Sequence, residues 1–226
     1  MPHGDALRQV CEYALMLPER LPNFTCEQTT ARYIADKPVD VVTAIVSYDS
    51  GKESYREIKS NRTAPSNPDV LNAAAWSTGQ FGGDVQSLFL PGNHVSFQFA
   101  NEREIEGRQI LTFQYRITHQ DFPVWRLHWK DQVTAPPVHG QLRIDAQKAT
   151  LLRLVVAASE LPRSFPMRTA DVDIKYDNVA FGDGTSFVLP VESVVNGVDR
   201  NGTRTRNELR FEKCQKFRAT AHIVPQ

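Results

Sequence analysis

From Val95 to Trp129 apolar and polar residues alternate with a period of two. Val95, Phe97 and Phe99 face one way, with Ser96 and Gln98 between them. Leu111, Phe113, Tyr115 and Ile117 are interleaved with Thr112, Gln114 and Arg116, beyond a turn near Glu106-Gly107. Trp125, Leu127 and Trp129 repeat the pattern against Arg126, His128 and Lys130. Such rows predict strands with one face buried and one wet, because a strand covered on both faces is apolar throughout. The pattern recurs at Val42, Ala44, Val46 and Tyr48, where Ile45 breaks it. It returns at Leu142 and Ile144, at Leu152, Leu154 and Val156, at Val172, Ile174 and Tyr176, and at Leu209 and Phe211.

Asp49-Ser50-Gly51, Asp183-Gly184 and Asn201-Gly202 are turn signals, the first predicting a hairpin with a three-residue loop. At the N-terminus Leu7, Val10, Cys11, Ala14 and Leu17 follow helical spacing, predicting one amphipathic helix that stops before Pro18. A second short helix is expected around 82–90, ended by Pro91. The reading is mainly β (α+β): one domain over 1–226 in which a curled antiparallel sheet of about ten strands, a half-barrel, wraps one or two helices. Two short helices cover only part of an apolar face that large. What they leave is packed by side chains and loops or is a cavity suited to a lipid or other hydrophobic ligand.

The order of front helix, meander, helical excursion near 70–90 and long strand series resembles the LolA-like (lipoprotein localisation factor-like) superfamily. That resemblance implies a curved sheet around helices with a hydrophobic pocket, as in bacterial envelope carriers. The segments LPNFTCEQTTARY, SYDSGKESYREI, AAWSTGQFGGDVQSLF and FEKCQKF are also similar to a group of exported bacterial proteins that bring no activity with them. No lipobox cysteine stands near the start, since Cys11 falls inside the predicted helix, so lipoprotein anchoring is not supported.

Candidate chemistry is sparse. Cys11, Cys26 and Cys214 show no CxxC spacing. A catalytic Cys26 needs a base that the sequence does not place beside it. Cys26 and Cys214 are predicted to form a disulfide between the first and last strands, with Cα atoms roughly 4.4–6.8 Å apart, while Cys11 stays reduced; the alternative is two buried free thiols. The histidines show no HExxH or HxH arrangement, and Asp171, Asp173 and Asp177 lack the glycine and terminal glutamate of an EF-hand loop. GQFGGD at 79–84 has no P-loop lysine, and no GxSxG elbow occurs. No catalytic residue, metal site or cofactor is therefore assigned.

Trp76, Phe81, Phe97, Phe99, Phe113, Tyr115, Trp125, Leu127 and Trp129 are the candidate pocket wall, because large rings bury area and leave irregular gaps. Lys and Arg balance Asp and Glu at 26 each, so no bulk field favours nucleic acid. Runs such as LLRLVVAA are too short to span a bilayer, and no integral membrane segment is expected. The expected function is a non-enzymatic envelope protein that binds a lipid or acyl chain. The alternative is an envelope interaction or stress-sensing module with a protein partner. A periplasmic protein would have lost its signal ahead of this sequence, whereas a cytoplasmic one would keep free thiols.

Overall fold

A computed structural model describes residues 2–61, 80–81, 83–129, 132–158 and 160–217. Helices α1 (Pro2–Leu15) and α2 (Leu17–Arg20) precede strands β1 (Phe24–Ile34), β2 (Lys37–Asp49) and β3 (Lys52–Ser60). Helix α3 (Gly83–Phe89) leads into β4 (Asn93–Ile105) and β5 (Arg108–Gln120). Then come β6 (Leu127–Trp129), β7 (Gln132–Thr134), β8 (Val138–Asp145), β9 (Thr150–Ala158), β10 (Met167–Ala180), β11 (Ser186–Asp199) and β12 (Arg204–Lys216).

Ten strands form one antiparallel sheet in the order β3-β2-β1-β12-β11-β10-β9-β8-β5-β4. The first and last strands pair in its interior, and its edges are β3 and β4. The sheet curls without closing. Its inner face collects the predicted rows: Val46 and Tyr48 beside Cys26 and Phe24, then Leu209, Val195, Val172, Val156, Leu142 and Phe113 on successive strands. The apolar stripe of α1, with Ala6, Val10 and Ala14 buried, packs over this face against α3 and β8.

Four details differ from the sequence reading. The helix does not end the helical backbone at Pro18, because proline is tolerated in the first turn of a new helix and there begins α2. The β2–β3 loop has two residues, since Asp49 pairs with Lys52 and both Ser50 and Gly51 take positive φ, as a tight primed turn requires. On β9 Leu151, rather than Leu152, joins the inner row, because a bulge between Arg143 and Ile144 shifts the register. Leu127 and Trp129 belong to a separate two-stranded hairpin with β7 instead of the main sheet.

Gly140 marks a close approach between strands. A Cβ there would lie 1.8 Å from the Val155 carbonyl oxygen and 2.8 Å from the Tyr115 hydroxyl. That hydroxyl passes beneath Gly140 and donates to Val155 O at 2.8 Å, so β5, β8 and β9 approach more closely than any side chain at 140 allows.

Candidate functional site

Cross-strand register builds a polar-ended cavity under β3, β2, β1, β12 and β11. On β1 the inner row continues from Phe24 and Cys26 into Gln28, Thr30 and Arg32. Gln28 lies between Ala44 and Phe211, Thr30 between Val42 and Leu209, and Arg32 between Asp40 and Asn207. Val42, Ala44, Tyr55, Ile58, Val195 and Leu209 supply the apolar lining of a space of ≈ 40 Å³. At its polar end the buried Arg32 guanidinium forks onto Asp40, Nε donating to Oδ1 at 2.6 Å and Nη2 to Oδ2. Ser60 Oγ donates to the same carboxylate at 3.1 Å. The bidentate pair balances two charges that would be expensive to bury singly.

Tyr55 connects this cavity to a buried acidic cluster. Its hydroxyl donates to Glu53 Oε2 at 3.0 Å, while Glu53 Oε1 accepts the Phe81 backbone N–H at 2.9 Å. Burial, and next the neighbouring Glu53 charge, hold the Asp84 carboxyl well above the usual carboxylate range. Asp84 Oδ2 makes no hydrogen bond. Burial also raises the Tyr176 phenol, reinforced by Asp84 and Glu53. A carboxyl whose charged form is disfavoured this way fits an apolar interior in which Phe81 packs edge-on against Phe24 and Phe211.

The residues of the expected aromatic wall occupy different settings. Trp76 lies outside the described residues. Phe81, Phe113, Tyr115, Trp125 and Leu127 are core, and Phe97 and Trp129 pack half-buried against it. Phe99 is 40% exposed and stacks on the His3 ring at 4.2 Å. The structure joins Phe97 to Tyr115 and Phe99 to Phe113 across β4 and β5, and sets Phe81 apart, toward β1 and β12. Among the described ones, none lines the cavity that ends at Arg32. The sequence reading missed Gln28, Thr30 and Arg32, whose signal was polar side chains continuing the parity of Phe24 and Cys26.

Cys26 and Cys214 form a disulfide. Their Cα atoms are 4.1 Å apart, closer than expected, because the pair spans neighbouring strands at a bulge where Lys213 takes a φ of 50°. Cys11 is a half-buried free thiol on α1, and burial raises its pKa. Among the described residues no group of three or more His, Cys, Asp or Glu is arranged to hold a metal ion. Nor is any described helix long and apolar enough to cross a membrane.

No family model matches the chain, and no curated protein does. Among solved structures it is similar to a LolA superfamily protein from Nitrosomonas europaea, at 13% identity and a TM-score of 0.46, covering 95% of this chain and 94% of that one. It is also similar to a DUF1329 family protein from Desulfovibrio piger, at 9% identity and a TM-score of 0.40, again with 95% and 94% covered.

Proposed function

We propose that the chain is a non-enzymatic protein of the bacterial cell envelope that holds a hydrophobic ligand, a lipid or acyl chain, on the inner face of its curled sheet. The observation that carries the reading is the cavity walled by Val42, Ala44, Ile58, Val195 and Leu209 beneath the β3 edge. At ≈ 40 Å³ it is far below the roughly 300–1,000 Å³ of a filled ligand pocket. Binding therefore goes with opening, and the wall that yields is β3, which among the described strands pairs with the sheet on one side only. The packed rings toward β4 act as the rigid backing, with Phe97, Phe99 and Trp129 the ones that retain accessible surface for a ligand. The Cys26–Cys214 bridge supports the envelope assignment, because such bonds persist in oxidising compartments.

Native mass spectrometry of gently purified protein, with displacement of a fluorescent fatty acid, tests the proposal. A bound lipid or saturable displacement is expected, both lost in Ala44→Trp, which fills the cavity. Protein that is ligand-free and indifferent to fatty acids and phospholipids overturns the carrier reading and leaves the protein-interaction alternative.

A further inference from the structure

On the opposite surface, the outer face of β4, β5, β8 and β9 is hollow where the sheet bends at Gly140. Two grooves of ≈ 540 and ≈ 150 Å³ meet there at Gln141. Register fixes their floor. Gln98, Gln114 and Gln141 sit side by side on three adjacent strands, about 4.8 Å from one strand to the next. Ser96, Arg116 and His139 form the next row, and Asn101, Thr112 and Arg143 the row on the other side. Arg103 lines the far end.

Among the described residues no Asp or Glu lines either groove. Arg103, Arg116 and Arg143 make no ion pair with a described residue, in contrast to Arg153 on the neighbouring strand, which forks onto Asp173. The carboxylate of Glu102, on the same edge strand, lies beside His3 of α1 on the inner side. An otherwise neutral protein thus concentrates unopposed guanidinium groups in one concave strip.

We propose that this strip binds an acidic oligosaccharide. The guanidinium groups match its carboxylates, the planar acceptors that arginine engages with two parallel N–H bonds. Each glutamine amide offers two donors and an acceptor, so a row of three complements sugar hydroxyls, which both give and accept hydrogen bonds. An acidic peptide satisfies the arginines but offers the amide row only its backbone N–H and C=O groups, whereas each sugar unit presents several hydroxyls. Single-stranded nucleic acid finds little to stack on. Apart from the His139 imidazole, the one ring among the described residues of the groove is Tyr115, which is buried with its hydroxyl committed to Val155 O.

Titration of the full chain with oligogalacturonate at low salt, beside a malto-oligosaccharide of equal length and polyglutamate, tests this. Oligogalacturonate is expected to bind, with amide signals of β5 and β8 shifting, and the neutral sugar to fail. Arg116→Gln with Arg143→Gln should weaken binding at least about tenfold at an unchanged thermal midpoint. Gln114→Leu should erase the preference over polyglutamate. No binding of oligogalacturonate, equal binding of polyglutamate by the wild type, or full binding by the double arginine variant overturns the proposal. Fatty-acid displacement reads the inner face separately, so neither result decides the other.

Discussion

Along β8 and β9 the inner face of the sheet is tightly packed: Leu142, Ile144 and Leu154 are fully buried, as is Trp125. Toward β3 the same face turns polar along β1 and keeps a small cavity beside a buried ion pair. Both regions are built from alternating strands with similar turns. Among the described residues, the α1 stripe packs against β8 at the first end, whereas the cavity at the second is lined by strand residues. Packed rings give rigidity, and an edge with a cavity gives room to move.

The largest effects should fall at the packed end and at the ion pair. Trp125→Ala removes a fully buried ring and should cost about 3–5 kcal/mol by urea unfolding, against about 1–2 kcal/mol for Val42→Ala at the cavity. Equal losses would erase the distinction between the two ends. Arg32→Met strands Asp40 without its counter-charge and should cost about 3–5 kcal/mol, while Arg32→Met with Asp40→Leu should stay within about 1 kcal/mol of wild type. If the double variant is as unstable as the single, the pair organises the cavity beyond balancing its own charges.

Opening the Cys26–Cys214 bridge with reductant, or replacing both cysteines by serine, should lower stability by about 2–4 kcal/mol. Because the bond joins β1 to β12, hydrogen exchange should quicken first near the cavity rather than under α1. Asp84 gives a smaller, pH-dependent effect. Its folded pKa is raised, so the unfolded chain releases this proton first. Wild type should therefore lose stability relative to Asp84→Asn as pH rises from about 4 toward the raised folded value. An unchanged difference between the two proteins from pH 4 to 8 would place an ionised carboxylate in the core. Smallest of all, Ala44→Val should change stability by less than about 1.5 kcal/mol yet reduce uptake of a fatty-acid probe.

Much of this fold was legible because period-two rows and glycine turns are local signals. The β10–β11–β12 series and α3 follow directly from them. The Arg32–Asp40 pair was hidden by its turn: Ala35-Asp36 contains no glycine, yet both residues take positive φ and fold β2 back so that 40 meets 32. Aromatic richness drew attention to the β4–β5 end, where the rings are mostly spent on packing. The cavity instead formed where ordinary Val, Ala, Ile and Leu side chains face each other, with Tyr55 the one ring in its described lining.

By itself the sequence determined the strands, their buried faces, most turns and the two cysteines available to bond, because alternation and turn chemistry act over a few residues. Only the tertiary structure decided that β1 and β12 pair inside an open sheet, which part of the inner face stays unfilled, and that glutamines and arginines from three strands share one outer groove. Those outcomes depend on register between residues far apart in the chain, and no local pattern encodes it.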